Sequence, residues 1–158
     1  MPEVQTLVRG MVKYNGRESI PEGGEVYYFT WLTHDVVTEG ELGRVACIIV
    51  DWLDYQLRIE AESNGEIQPQ PGEIRIGNDS DWYCHQMDVE YSAHSPDLGI
   101  YVLTIDDYII VAIVEKPDYR WIVKFEVFRN RTAAIYVRKY FNEPQLANNI
   151  FGEYIEDE

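Results

Sequence analysis

The clearest alternation of apolar and polar residues lies between positions 98 and 140. Successive side chains of a β-strand leave opposite faces, so a period of two predicts half-buried strands. Turn-forming residues divide this stretch at Asp106-Asp107, at 116–118 and at 129–131. The pattern therefore predicts a meander of four strands. In the third strand, one face carries the apolar residues Trp121, Val123, Phe125 and Val127.

The first 61 residues also contain segments whose residue types favour strands, because β-branched and aromatic side chains fit a pleated, half-buried surface. Turn-forming residues separate these segments at Asn15-Gly16, at 21–24 and at 38–43. The predicted strands are 4–15, 25–32, 44–50 and 55–61. The first half of the chain is thus also predicted to be all β.

Three stretches of this half carry a family resemblance. VRGMVKYNGRESIPEGGEVYYF at 8–29 joins a V-x-G-x-V strand to a Tyr-Asn-Gly turn and a second strand. VVTEGELGR at 36–44 and VDWLDYQLRIEA at 50–61 add a Gly-Arg turn and a closing strand. Residues 4–61 together resemble the transthyretin-like, carboxypeptidase-regulatory-type β-sandwich, although their turn at 38–44 is longer. The resemblance implies a Greek-key-like sandwich used as a structural or binding module, without catalytic residues.

The remaining segments complete one predicted domain over residues 1–158. Residues 62–81 are rich in Gly and Pro and predict a long loop with a short edge strand, which is the one candidate internal boundary. A strand at 82–91 and a turn at 91–96 follow. Asn142 as N-cap and Gly152 as stop predict a short C-terminal helix. We therefore predict an all-β fold, an antiparallel sandwich or barrel with a short C-terminal helix.

The charge of the chain is strongly negative and unevenly distributed. The 158 residues contain 28 acids and 13 bases, for a formal net charge of −15. Residues 61–115 hold eleven acids and one base, whereas residues 116–139 hold seven bases and two acids. Net charge speaks to partners and solubility more than to fold. The acidic stretch is therefore the first place to look for a binding surface.

The sequence offers few groups for metal or covalent chemistry. Cys47 and Cys84 lack metal-ligand spacing, and Cys47, inside the apolar run VACIIV, is expected to be an inert core thiol. No apolar run approaches the roughly 20 residues of a membrane span. The N-terminal residues lack the pattern of a secretory signal. We expect a soluble, cytoplasmic protein without cofactor or metal.

Candidate catalytic groups are sparse and generic in their spacing. His85 or His94, each with a nearby aspartate, could form the acid–base dyad of a hydrolase. Glu60 and Glu62 could form a carboxylate pair on one face of a strand. Neither arrangement has a specific motif around it, so we favour a binding protein over an enzyme.

The functional hypothesis depends on the acidic stretch between residues 62 and 97, which also contains Trp82 and Tyr83, residue types typical of binding hot spots. A rigid acidic surface attracts a basic groove over long range, as inhibitors, immunity proteins and nucleic-acid mimics do. We predict a basic protein partner, either a nucleic-acid-processing protein or a toxin, and no direct nucleic-acid or membrane contact. The predicted partner-binding residues are Glu62, Glu66, Glu73, Asp79, Asp81, Trp82, Tyr83, Asp88, Glu90 and Asp97.

Other interpretations of the same surface stay open. Trp82 and Tyr83 could form the platform of a small-ligand or carbohydrate-binding module, whose affinity would depend little on salt. The basic residues of 116–139 could neutralise the acidic stretch through cross-strand pairs. The last strand, if it lies at a sheet edge, would permit strand-to-strand homodimerisation.

Overall fold

The computed structural model describes residues 10–20, 24–34, 37–74, 89–95, 99–116 and 119–129. These residues are mostly strands, which form one antiparallel sheet accompanied by a single helix. The seven strands lie in the order β3-β1-β2-β7-β6-β5-β4. The elements are β1 (Met11–Ser19), β2 (Glu25–Thr33), α1 (Glu39–Glu62), β3 (Gly72–Glu73), β4 (Val89–Ser95), β5 (Ile100–Ile105), β6 (Tyr108–Glu115) and β7 (Trp121–Phe128).

The first three strands of the predicted meander are confirmed as β5, β6 and β7. The Asp106-Asp107 turn joins β5 to β6, and Asp106 has a positive φ of 52°, which Asp tolerates in tight turns. On β7 the side chains of Val123, Phe125 and Val127 are buried, whereas Lys124 between them is exposed. The predicted fourth strand and the predicted C-terminal helix lie outside the described residues.

The predicted strands at 44–50 and 55–61, and the turn at 38–43, are wrong, because residues 39–62 form helix α1. Thr38 is its N-cap, and its hydroxyl accepts a hydrogen bond of 3.2 Å from the backbone N–H of Glu41. Thr-Glu-Gly-Glu at 38–41 is the sequence pattern of a capping box, a start signal that the strand prediction overlooked. The buried residues then recur with helical spacing at Leu42, Val45, Ala46, Ile49, Val50, Leu53 and Leu57.

Helix α1 ends in a Schellman motif at Asn64 and Gly65. The N–H of Gly65 donates to the carbonyl of Glu60 at 2.8 Å, and that of Asn64 donates to the carbonyl of Ala61 at 3.2 Å. Both residues have positive φ, 56° for Asn64 and 87° for Gly65, and the motif requires this conformation of Asn64, the first residue after the cap. The Asn-Gly pair therefore fixes where the helix stops and how the chain leaves it.

The turn predicted at Asn15-Gly16 is also wrong, because both residues lie within β1. The register with β2 shifts between Tyr14 and Gly16, so Asn15 is the extra residue of a β-bulge. Gly16 supplies the φ of +120° that the bulge needs, and Asn15 accepts a hydrogen bond of 2.7 Å from the hydroxyl of Thr30. The bulge brings Tyr14 and Arg17 onto the same face of the sheet, although they are three residues apart.

One hydrophobic core fills the space between helix α1 and the sheet. The rings of Tyr14, Phe29 and Trp52 meet there with centroids 5.1–5.9 Å apart, so β1, β2 and α1 share one aromatic cluster. Pairs of this kind add about 0.5–1.5 kcal/mol beyond the burial of their area. Val26 and Phe128, on the opposite face, are also fully buried.

The sandwich or barrel is not confirmed, since the described strands form one sheet that does not close and the helix lies mid-chain. The sandwich implied by the transthyretin-like resemblance is likewise not found, because its closing strand belongs to α1. Residues 91–95, predicted as a turn, continue strand β4. The short edge strand expected in 62–81 is confirmed as β3, which ends the sheet beside β1. None of the described helical residues forms a segment long and apolar enough to span a bilayer.

Candidate functional site

The last turn of α1 and the residues that follow it carry an excess of carboxylates. Glu60 and Glu62 lie in the last turn, Glu66 lies in the turn after it, and the last turn contains no basic residue. The C-terminus of a helix is the negative end of its macrodipole, where cations stabilise and anions destabilise. This end of the helix, which we call the acidic end (Glu60, Glu62, Glu66), therefore has its charges arranged against the dipole.

Two of the three acids are open to solvent. Within the described part of the chain, Glu62 and Glu66 are exposed and form no ion pair. Glu73 is also exposed and lies further along the same connection, in β3, where its ladder partner is Lys13. Opposite charges on neighbouring strands attract, so Lys13 offsets part of the charge of Glu73. Glu62 and Glu66 therefore contribute most of the uncompensated charge at this end.

Glu60 is the exception, because it pairs with Arg17. The guanidinium donates from Nη1 to Oε1 at 2.9 Å and from Nη2 to Oε2 at 2.7 Å, a bidentate geometry. Both side chains are about one-fifth exposed. The hydrogen bonds from Arg17 lower the pKa of Glu60, and the same bonds raise the pKa of Arg17. Both groups are thus held in their charged forms.

Glu25, the first residue of β2, joins this network from the other side. Its Oε1 accepts a hydrogen bond of 2.7 Å from the hydroxyl of Tyr27 and a longer one of 3.5 Å from Arg17. Burial, together with the hydrogen bond to Glu25, raises the pKa of Tyr27. The tyrosine therefore stays a neutral donor that fixes the carboxylate of Glu25 in place.

These groups line an open, shallow cleft of about 370 Å³ between the end of α1 and the sheet. Asn64 and Gly65 of the Schellman motif form one wall, and Arg129, after β7, contributes a second guanidinium. Its positive charge lowers the pKa of Tyr108, although burial and the charge of Asp54 raise it more. Two arginines and two glutamates leave the cleft itself formally neutral, while the acidic end beside it is negative.

The side chain of Asp54 connects the helix to the sheet next to the cleft. Its carboxylate accepts a hydrogen bond of 3.0 Å from Tyr108 and one of 2.9 Å from Arg58. Burial first, and then the charge of Asp54, raise the pKa of Tyr108. Because Asp54 accepts both hydrogen bonds and its charge is offset by that of Arg58, it adds little negative charge to the acidic end.

The predicted partner-binding residues divide into two groups. Glu62, Glu66 and Glu73 lie on the connection 62–74, which leads from α1 to the sheet edge, and Glu90 lies in β4 opposite Thr104. Their grouping with the rest of the predicted surface stays a prediction. The others, Asp79, Asp81, Trp82, Tyr83, Asp88 and Asp97, lie outside the described residues. The carbohydrate alternative depends on Trp82 and Tyr83 and also stays a prediction.

The cleft residues Arg17, Glu25 and Tyr27 are not among the predicted site residues. The Asn15-Gly16 pair was the available signal, because read as a bulge it would have placed Arg17 on the same face as Tyr14. The carboxylate pair of Glu60 and Glu62 on one strand face is wrong. On a helix, residues two apart do not share a face, and Glu60 is bound by Arg17.

The other candidate chemistry finds no site among the described residues. They contain no group of three His, Cys, Asp or Glu side chains that could hold a metal ion. Burial raises the pKa of the Cys47 thiol to about 11, as expected of an unreactive thiol. His94 lies in β4 opposite Tyr101, and His85 is outside the described residues.

One of the basic residues of β7 forms a cross-strand pair with an acid, as the sequence suggested. Lys124 forms an ion pair of 3.7 Å with Glu115 of β6, which confirms cross-strand neutralisation for this lysine.

The aromatic ring of Tyr119 is 69% exposed and stacks on His34 at 5.7 Å. Trp121, expected in the core, is half-buried at the strand end, with the ammonium of Lys116 over its ring. Lys116 therefore lies at the end of β7 away from Arg129 and the cleft.

No protein-family model matches this chain, and no curated protein or solved structure matches it either.

Proposed function

We propose that this chain is a non-enzymatic binding protein whose acidic end docks a basic partner protein, of the kind that processes nucleic acid or acts as a toxin. The observation that supports the proposal most is the pair of exposed glutamates, Glu62 and Glu66, at the negative end of the α1 dipole. This arrangement costs stability in the free protein. A cationic partner would relieve it, and the net charge of −15 would steer that partner from a distance.

The Schellman motif and the turn after it support the proposal because they hold these carboxylates on an ordered backbone. The backbone N–H of Glu66 donates to the carbonyl of Ser63 at 3.1 Å, and the backbone N–H of Ile67 donates to the hydroxyl of Ser63 at 2.9 Å. The side chain of Ile67 is 55% exposed. An apolar side chain between carboxylates, on a fixed turn, is suited to a partner that buries one apolar contact inside a ring of charge.

The test uses a fluorescent octa-arginine peptide as a defined basic probe, with binding measured by anisotropy. Replacing Glu62, Glu66 and Glu73 by glutamine should weaken binding about 3- to 150-fold, because exposed charge pairs contribute about 0.2–1 kcal/mol each. The control replaces Glu18 by glutamine and Asp106 and Asp107 by asparagine. These residues are also exposed, and the triple replacement changes the net charge equally.

The wild-type affinity should fall steeply between about 50 mM and about 300 mM salt, because screening weakens exposed charge pairs. Equal losses in the two triple variants would show that only the total charge matters and would contradict the proposal. Reversing Asp79, Asp81 and Asp88 to lysine extends the test to the acids outside the described residues. In that variant we expect binding to be lost while the fold is kept.

A further inference from the structure

In the cleft beside the acidic end, the two carboxylate oxygens of Glu25 differ in the contacts that the described residues give them. Oε1 of Glu25 accepts from Tyr27 and from Arg17. Within the described residues, Oε2 accepts no hydrogen bond, and the side chain of Glu25 is 38% exposed. A carboxylate oxygen that is fixed through its neighbour and left open to solvent is a preorganised acceptor.

The shape of the cleft decides between a free small molecule and a side chain of a docked protein. Small-molecule sites usually enclose most of their ligand and are lined mainly by apolar groups. This cleft is open and shallow, and most of its lining residues are polar. A free ligand would keep most of its hydration here, whereas a side chain presented by a docked protein is held by the rest of the interface.

The charges around the cleft decide the sign of that side chain. The guanidinium of Arg17 is matched by the bidentate contact with Glu60, and the formal charge of Arg129 is offset by that of Glu25. The C-terminal end of α1, whose Asn64 and Gly65 line the cleft, adds a negative partial charge. Glu62 and Glu66, in the last turn of the helix and the turn after it, add two more negative charges at this end of α1. The balance favours a cation.

We propose that the cleft receives one basic side chain of the partner, whose N–H donates to Oε2 of Glu25. This inference depends on the proposed function, since it assigns a position within the same interface. Because only one oxygen of Glu25 is open, the bidentate fork that favours arginine elsewhere cannot form. Lysine and arginine therefore serve equally well at this position.

The test compares two glutamates that differ in the face they occupy. Glu25 accepts from Tyr27 on the cleft face, and Glu18 accepts from the hydroxyl of Tyr28 at 2.9 Å on the opposite face. Glu25→Gln and Glu18→Gln remove the same charge and weaken the same kind of hydrogen bond. Anisotropy with octa-lysine and octa-arginine probes should show about a tenfold loss for Glu25→Gln with both peptides. Glu18→Gln should change either affinity less than about twofold.

One outcome is an equal, small loss of affinity in both single variants and a large loss in the Glu62, Glu66 and Glu73 triple variant. It would overturn the proposed contact in the cleft and leave the proposed function standing. A loss confined to octa-arginine would overturn the single-oxygen contact. If the Glu62, Glu66 and Glu73 triple variant binds as tightly as the wild type, both proposals are overturned together. Circular dichroism confirms that each variant is folded, and Glu25→Asp, which restores the charge, should recover part of the affinity lost in Glu25→Gln.

Discussion

Arg17 on strand β1 and Glu60 in the last turn of helix α1 form two parallel hydrogen bonds across 43 residues of sequence. The pair joins the strand that contains the bulge to the end of the helix, and it lies at the boundary between the core and the cleft. It therefore takes part in both the stability of the fold and the shape of the candidate site.

Replacing Arg17 by glutamine should lower the free energy of unfolding by about 1–3 kcal/mol, because it leaves two half-buried carboxylates without their cation. The matched control is Arg58→Gln. Arg58 also pairs with a carboxylate, Asp54, but this pair is exposed on the helix surface, with side-chain exposures of 62% and 46%. We expect its loss to cost about 0.3–0.5 kcal/mol. Urea unfolding measures both, and equal losses would show that the Arg17 pair adds nothing beyond a surface contact.

The lowered pKa of Glu60 predicts a specific dependence of stability on pH. The unfolded carboxyl titrates near pH ~4.3, and the folded one titrates lower because Arg17 stabilises its charged form. Its contribution to stability is therefore complete above pH ~4.3 and is lost as the pH falls through the folded pKa. Between pH ~6 and pH ~3, the wild type should lose more stability than Glu60→Gln.

Glu62→Gln is the charge-matched control for this pH prediction, because it removes the same charge from the same turn of α1 and, within the described residues, Glu62 forms no ion pair. Its unfolding midpoint in urea should follow the wild-type pH dependence closely. If Glu60→Gln and Glu62→Gln behave alike, the pH dependence comes from the net charge of the protein and not from the Arg17 pair.

The helix at 39–62 makes a prediction that two strands in its place would not make. Tyr55 is 53% exposed, whereas Leu57, two residues further on, is buried at 7%. Residues two apart on a strand share a face, but on a helix they do not. Leu57→Ala should cost about 2–5 kcal/mol and Tyr55→Ala less than about 0.5 kcal/mol. Thermal unfolding followed at 222 nm measures both, and similar costs would argue against the helix.

The sequence predicted the strands well and the helix poorly, for a physical reason. On β7, the alternation of apolar and polar residues is visible because one face of the strand is more exposed to solvent than the other, so polar residues recur there. In the middle of α1, residues 45–50 are all apolar, so the helical period cannot be read from hydrophobicity alone. Its caps, Thr38 and Asn64-Gly65, were the more reliable guide.

The candidate site was predicted in part for a different reason. Exposed acids are visible in any sequence, so Glu62, Glu66 and Glu73 were found from composition. The cleft depends on contacts across long separations, such as Arg17 with Glu60, and on a bulge that changes the face of one side chain. The Asn15-Gly16 pair is compatible with a turn as well as with a bulge, so this signal alone does not choose between them.

The bulge should be sensitive to replacement of Gly16. A Cβ at this position would meet no atom within 4 Å, so the cost of Gly16→Ala comes only from its φ of +120°. We expect a loss of about 1–3 kcal/mol. Gly40→Ala in the first turn of α1, where φ is not positive, should be neutral or stabilise by up to about 1 kcal/mol. Differential scanning calorimetry measures both, and a neutral Gly16→Ala would contradict the bulge geometry.

Glu62→Lys should separate stability from function at the acidic end. The replacement puts a cation in a last turn that has none, so it should stabilise α1 by about 0.3–1 kcal/mol. The same change removes one attraction for a basic partner and adds a repulsion, so affinity for octa-arginine should fall about tenfold or more. Natural proteins commonly keep such unfavourable groups where function requires them. A variant that is both more stable and an equally good binder would show that Glu62 serves no partner, and the acidic end would then be only a solvated helix terminus.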